Sequence, residues 1–250
     1  MNIKRFGIEL YWKLHEIYAP ELRFSQDIYA DFLDGLITPR TIWLDIGCGH
    51  KVLPEWRMAR EQELVKRCRK VVGIDFDLVS LKHHSTFSHL TRGKITQLPF
   101  ADSTFDLVTA NMVVEHLDDP LRQFQEIRRV LKPEGRLLIQ TPNVGGYPAL
   151  LARLIPQVIK SKLVKLLENR SQTDVFPTYY RANTGARIKK LARQSGYEAA
   201  SIKMIASAGV PMLALFPPLS ILELLWIDLL LTRPFRSLRH DIIALLRRND

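Results

Sequence analysis

Apolar residues recur at helical intervals near the start of the chain, at Ile3, Phe6, Leu10, Leu14 and Ile17 and again at Leu22, Ile28, Phe32 and Leu36. This pattern predicts two amphipathic helices over residues 2–36, broken at Ala19-Pro20. Pro39 then delivers the chain into a short apolar run at 42–46, read as a buried strand. Residues 51–69 are charged and amphipathic, with Leu53, Trp56, Leu64 and Val65 on the apolar side, and read as helical from Pro54. A second apolar strand, Val71-Val72-Gly73-Ile74-Asp75, ends in a carboxylate. The same reading predicts a helix over 78–90, a strand at 93–98 and another at 105–110. Asp118-Asp119-Pro120 opens a helix running to Leu131, the segment from Lys132 to Gly135 stops it, and 136–141 is a fifth strand. Five strands alternating with helices imply an α/β class protein with a doubly wound, mostly parallel sheet, which binds ligands beyond the strand C-terminal ends.

Beyond Asn143 the pattern changes. Gly145-Gly146-Tyr147-Pro148 reads as a hinge-like loop, and residues 149–168 read as an apolar, Lys/Arg-rich helix interrupted at Pro156. A helical insertion of about 144–182 follows the fifth strand, ending in an irregular aromatic stretch with Phe176, Tyr179 and Tyr180. Asn183-Thr184 caps a helix over 185–195 that stops at Gly196, and 197–205 returns as a strand. Residues 204–222 carry no charge and reach the roughly 18-residue threshold for a membrane span. Pro211, Pro217 and Pro218 interrupt them and Glu223 and Asp228 follow, so the expectation is a broken apolar helical hairpin. Arg233, Arg236, Arg239, His240, Arg247 and Arg248, interleaved with Phe235, Leu238, Ile242, Ile243, Leu245 and Leu246, predict a basic amphipathic helix lying in a membrane interface. A dimer face or an extra core layer is the competing reading of the segment.

Charge sharpens this picture. Lys and Arg number 36 against 26 Asp and Glu, an excess that suits nucleic acid or an anionic lipid surface. Exposed aromatics interleaved with basic residues near a cleft are missing, which argues against nucleic acid. Cys48 and Cys68 make no disulfide framework and no metal-type Cys/His spacing occurs, so a reducing compartment and no metal are expected. His83-His84 lacks a carboxylate at helical spacing and reads as a solvated face. The N-terminus has no uninterrupted apolar region before Glu9, which does not fit a secretory signal and points to the cytoplasm or the cytoplasmic side of a membrane.

The chemistry concentrates at residues 45–49, Asp-Ile-Gly-Cys-Gly, an acid and two glycines at the end of the first strand. Such a loop lets a ligand approach bare backbone. The third glycine of a dinucleotide fingerprint is absent, since Val52 stands in its place, so a dinucleotide is not expected. Asp75, at the end of the second strand, supplies the bidentate acceptor a ribose needs.

Five ordered pieces of sequence resemble the class I S-adenosylmethionine-dependent methyltransferases of the Leu-Asp-Ile-Gly-Cys-Gly and Leu-Pro-Phe type. They are Leu44 to Gly49, Val72-Gly73-Ile74-Asp75, the segment from Leu98-Pro99-Phe100 to Val108, Val114-Glu115-His116-Leu117, and Leu131-Lys132-Pro133-Glu134-Gly135. The resemblance implies a Rossmann-like fold and S-adenosylmethionine as cofactor. It implies that Gly47, Cys48 and Gly49 form the loop against the methionine part, and that Asp45 holds the amino group. Asp75 would accept the ribose hydroxyls, and Ala110 and Asn111 would complete the methionine pocket. Family members often carry an acid where this chain has Lys94, so Asp102, the backbone at Ile95, or apolar contact with Phe76 must serve the adenine.

His116 is the candidate general base if the acceptor is a hydroxyl, with packing of the following helix as its other reading. Tyr147, Tyr179, Tyr180 and Arg181 are candidates to line the acceptor pocket. Residues 174–184 are also similar to a stretch in methyltransferases of bacterial surface polysaccharide and lipid-linked sugars. The expected organisation is a helical lid over 1–38, a methyltransferase domain over 39–204 and a membrane-associating segment over 205–250. The expected activity is methyl transfer to an oxygen of a glycan, lipid or quinone-like acceptor at a membrane surface. A soluble small-metabolite enzyme with a C-terminal dimer interface, and a cofactor-binding module without catalysis, are the competing readings.

Overall fold

A computed structural model describes residues 3–154, 177–207 and 217–249. The described residues fall into two compact units. A helical unit gathers those of Met1–Ser25, Asn143–Phe176 and Met204–Asp241, and a sheet unit those of Gln26–Pro142, Pro177–Lys203 and Ile242–Asp250.

In the sheet unit seven strands lie in the order β3-β2-β1-β4-β5-β7-β6. They are β1 (Ile42–Ile46), β2 (Lys70–Asp75), β3 (Leu90–Arg92), β4 (Phe105–Asn111), β5 (Leu131–Pro142), β6 (Tyr197–Ile205) and β7 (Asp241–Arg248). β1 pairs in parallel with β2 and β4, β2 with β3, and β4 with β5. The chain therefore winds outward from β1 to β3 and crosses back to β4. The switch point lies between β1 and β4, where an open α/β sheet leaves a crevice at its strand ends. Trp43, Leu44, Leu107, Val108, Leu137, Leu138 and Ile139 are fully buried, as strands covered on both faces require.

Helices α2 (Ser25–Leu36), α3 (Met58–Arg67), α4 (Leu78–Lys82), α5 (Pro120–Val130) and α7 (Gly185–Gln194) connect or cover these strands, α6 (Tyr147–Leu154) lying in the helical unit. Their starts follow from local chemistry. The Asp77 carboxylate accepts from the Val79 and Ser80 amides at 3.1 and 3.0 Å, Asp119 from Arg122 N at 3.3 Å, and Thr184 from Arg187 N at 3.2 Å.

Three expectations need correction here. The predicted helix over 78–90 stops at Lys82 because His84 folds back: its Nδ1 accepts the amides of Thr86 and Phe87 at 3.3 and 3.2 Å, and its ring stacks on Phe87 at 4.4 Å. His84 is thus half-buried rather than on a solvated face, and burial lowers its pKa to about 4, which keeps Nδ1 an acceptor. The third strand consequently lies at Leu90–Arg92, while 94–97 close a turn through a Lys94–Gln97 bridge.

The third correction concerns the basic amphipathic helix predicted over 233–248. Residues 241–248 are a strand, β7, inserted between β5 and β6, and its run of Ile242, Ile243, Ala244 and Leu246 is fully buried. Its arginines serve the fold: Arg247 pairs with Glu134 at 3.0 Å and with Glu198, and Arg248 donates to the Arg128 carbonyl at 3.1 Å and to that of Leu131.

In the helical unit, α1 (Ile3–Tyr18) packs on α8 (Pro217–Leu231) through Tyr11, Leu224, Ile227 and Leu230, with Leu22 of the following stretch in the same core. Arg239 tethers the end of α8, donating to the carbonyls of Leu230 and Leu231 at 2.8 and 2.7 Å and of Met204 at 3.0 Å, so its charge meets a helix C-terminus. The helix predicted over 149–168 is seen as α6 as far as Leu154; its remainder, with Pro156, lies outside the described residues, as does Pro211 in the predicted hairpin. Among the described residues no helix is long and apolar enough to cross a membrane.

A polar chain crosses this unit: His240 Nδ1 accepts from the Ser207 amide at 3.4 Å, Nε2 lies 3.1 Å from the Tyr147 hydroxyl, and that hydroxyl lies 3.3 Å from Glu223. Burial lowers the His240 pKa to about 4. The unfolded ring titrates near 6.5, so the stability this histidine confers is complete above that pH and is lost as pH falls toward 4. Chemical denaturation at pH 7 and pH 4 is expected to show the parent chain losing roughly 2 kcal/mol more than His240→Gln. Equal losses would assign the acid sensitivity elsewhere.

Candidate functional site

The end of β1 turns sharply. Gly47 and Gly49 both adopt positive φ, +65° and +53°, and the Gly47 and Cys48 amides donate to the Ile74 carbonyl at 2.7 and 3.2 Å. A Cβ on Gly47 would stand 2.5 Å from Val113 Cγ2, whereas one on Gly49 would meet nothing within 4 Å. Gly47 is therefore required by packing and backbone together, and Gly49 faces open space.

The loop is tied to the end of β2. Gly49 N donates to one oxygen of Asp75 at 2.9 Å and Asp77 N to the other at 2.9 Å. Both oxygens are thereby oriented, and each keeps capacity for a further donor. Phe76, the next residue, is half exposed beside them, its carbonyl held by Arg92 Nε at 3.1 Å.

Asp45 lies beneath the loop, 2% exposed, and accepts the hydroxyl of Thr109, which in turn accepts from Trp43 Nε1 at 2.6 Å. Burial raises its pKa, and nearby Glu61 and Asp75 push in the same direction. Cys48 is buried in the same place, and desolvation pushes its thiol up. Asp45, Glu61 and Asp75 thus lie close enough beneath the loop to act on one another electrostatically.

On the other side of β1, Ala110 is buried and Asn111 donates through Nδ2 to the Val52 carbonyl and to Gln26 Oε1, both at 3.0 Å. Met112 follows in a left-handed conformation, φ 57°, at the exit of β4. Ile95 is partly exposed in the turn after β3, and the Leu98 amide is held by Glu126 at 2.7 Å. Asp102 is engaged by Arg129 at 2.6 Å.

His116 sits on a short 3-10 turn, Val114–His116, after β4, with Nδ1 2.9 Å from the Pro177 carbonyl. Nδ1 must carry the proton to make that bond, so in the neutral ring Nε2 is the basic nitrogen. The turn is anchored from behind: Glu115 accepts from Thr141 Oγ1 at 2.9 Å, Thr141 from Asn183 Nδ2 at 2.6 Å, and the Glu115 carbonyl takes the Tyr179 and Tyr180 amides at 2.8 and 3.1 Å. Tyr179, Tyr180 and Arg181 thus share one framework with His116, whereas Tyr147 belongs to the helical unit.

Two supports have no signature in sequence. Glu61, wholly buried, accepts the Val52 and Leu53 amides at 3.0 and 2.7 Å and the Thr86 hydroxyl, fixing the exit of the glycine loop. Thr109 orients Asp45. In both cases the acceptor and donor lie on different elements, and only the fold brings them together.

A family model described as a methyltransferase domain matches residues 44–139. Among curated proteins, malonyl-acyl-carrier-protein O-methyltransferase 1 of Coxiella burnetii is 43% identical over 82 residues, 32% of this chain and 28% of that protein. A demethylmenaquinone methyltransferase of Lactiplantibacillus plantarum is 36% identical over 114 residues, 42% of this chain and 46% of that protein. The chain therefore spans less than half the length of these relatives. An S-adenosylmethionine-dependent methyltransferase from Mesorhizobium loti shares the fold with TM-score 0.55 and 14% identity over 90% of this chain and 100% of that one. A structurally characterised (4+2)-cyclase shares it equally, with TM-score 0.55 and 16% identity over 89% of this chain and 81% of that one. Over residues 44–139 the chain carries a methyltransferase domain.

Proposed function

We propose that the protein transfers a methyl group from S-adenosylmethionine to an oxygen of a glycan, lipid or quinone-like acceptor at a membrane surface. The observation that carries this reading is the coupling of the glycine loop to Asp75 through the Gly49 amide, beside open space at Gly49. The residues fit the cofactor: Asp75 offers two oriented oxygens to the ribose hydroxyls, Gly47, Cys48 and Gly49 present backbone to the methionine part, and Asp45 beneath the loop holds its amino group. Ala110 and Asn111 flank the methionine part from β4, and the Ile95 backbone and apolar contact with Phe76 serve the adenine in place of an acid at Lys94. When bound, the cofactor supplies an electrophilic methyl group on a sulfonium. His116 receives the acceptor's hydroxyl proton at Nε2, while the Pro177 carbonyl holds the ring and stabilises the charge it gains.

Two features support the choice of acceptor. The demethylmenaquinone and malonyl-acyl-carrier-protein relatives carry names that place an apolar or carrier-bound molecule in their sites. In the helical unit, α8 turns Leu219, Leu222, Leu225 and Leu229 outward, 47%, 64%, 49% and 39% exposed, with Arg233 and Arg236 beyond its end. An apolar helix face next to arginines suits an anionic leaflet. The same face serves a dimer in the second reading.

Incubation with methyl-labelled cofactor and either membrane or soluble extract is expected to place the label in an organic-solvent-soluble product. Label confined to water-soluble small molecules would select the metabolite reading. Tight cofactor binding with no labelled product from either extract would select the non-catalytic one.

A further inference from the structure

In the sheet unit the start of α5 and one face of α7 enclose a cleft of about 440 Å3. Arg181, Arg187 and Lys190 line it, over a floor that includes Leu121, Ala182 and Leu191. Several cations of this unit are paired with acids, among them Arg57 with Asp27, Arg67 with Asp34, and Arg129 with Asp102 and Glu126. In the cleft, among the described residues, the three cations form no ion pair although Asp118 and Asp119 line the same walls. Both acids are turned to backbone amides, Asp119 capping α5 and Asp118 accepting the Asp119 amide at 2.9 Å, so the cleft keeps one positive charge in excess. Arg181 donates to the Asp118 carbonyl, and Arg187 donates to the Tyr180 carbonyl at 3.2 Å. Each guanidinium has five N–H groups and the ammonium three, so most of the donors remain for a ligand.

Chemistry of this kind selects phosphate: planar forks match its oxygens in pairs, and an ammonium adds a point charge. The cleft is also joined to the candidate base, because the segment that carries Arg181 begins at Pro177, whose carbonyl holds His116. We infer that the cleft binds the phosphate or diphosphate of the carrier to which the methyl acceptor is attached, an inference that rests on the methyl-transfer reading above. The apolar floor takes the first carbons of an alkyl carrier, and the charged rim holds the anion. Attachment there holds the acceptor against the segment that starts at Pro177, whose carbonyl holds His116.

Titration of the full chain with inorganic pyrophosphate, a short-chain alkyl diphosphate and ADP tests this. The alkyl diphosphate is expected to bind most tightly, and Arg187→Glu with Lys190→Glu to weaken it at least about tenfold, with the glutamine pair giving a smaller loss. Lys189→Glu, a matched charge change on the exposed side of α7, is expected to alter affinity by less than about twofold. An equal loss in Lys189→Glu, tighter binding of ADP than of the alkyl diphosphate, or no diphosphate binding by the parent chain would overturn the assignment. S-adenosylhomocysteine affinity is measured alongside. Its absence would remove the methyl-transfer reading, whereas its retention with no diphosphate binding would remove the cleft assignment alone.

Discussion

Gly47→Val is expected to lower affinity for S-adenosylhomocysteine at least about 100-fold, because two independent penalties meet at one residue. The backbone there is left-handed, φ +65°, a conformation that costs an ordinary L-residue roughly 1–2 kcal/mol. The added Cβ would also stand 2.5 Å from Val113 Cγ2, and valine's branches deepen that overlap. The loop would have to move away from Ile74, whose carbonyl holds the Gly47 and Cys48 amides, and its alignment with Asp75 would be lost. Gly47→Ala combined with Val113→Ala removes the overlap but keeps the backbone strain, and should recover affinity to within about 5- to 30-fold of the parent. Calorimetry on folded variants checks both, and an unchanged affinity in Gly47→Val would sink the assignment of the loop.

His116→Ala is expected to reduce kcat by roughly 100-fold while leaving cofactor affinity unchanged, as removal of a positioned base does. The Pro177 carbonyl fixes the protonated nitrogen, so Nε2 is the atom that takes the proton, and a His116→Gln variant should be slowed about as much as the alanine one. Activity within about threefold of the parent in both variants would leave the histidine as a link between the β4 turn and residue 177.

Much of this site is legible in the chain because its signals are local. Glycines at 47 and 49, an acid at the end of each of the first two apolar runs, Asp119 before Pro120 and Thr184 before a helical stretch all announce backbone needs within a few residues. β3 lies at Leu90–Arg92 and not at 93–98 because a side chain, His84, ends α4 by accepting two amides, which helix periodicity does not encode. β7 escaped for a different reason. Five consecutive apolar residues, 242–246, between Asp241 and Arg247 suit a buried strand as well as an interfacial helix, and what decides between them is the slot between β5 and β6, strands contributed by distant parts of the chain. Glu61, Thr109 and Asn183 stayed invisible because a buried polar residue declares itself only once its partner is known.

The placement of β7 between β5 and β6 sets an order of events during folding. β6 follows β5 in the chain but does not pair with it, so its place in the sheet exists only after the strand at 241–248 has been made. Until then the edge of β5 is open, and a long chain closure, from residue 205 to residue 241, separates the last two strands. Among the described residues of that excursion, Ala206, Leu224, Ile227 and Leu230 pack with Tyr11, Ala19 and Leu22 into a core of their own unit, which shortens the effective loop and so the time for which an exposed edge could recruit another chain.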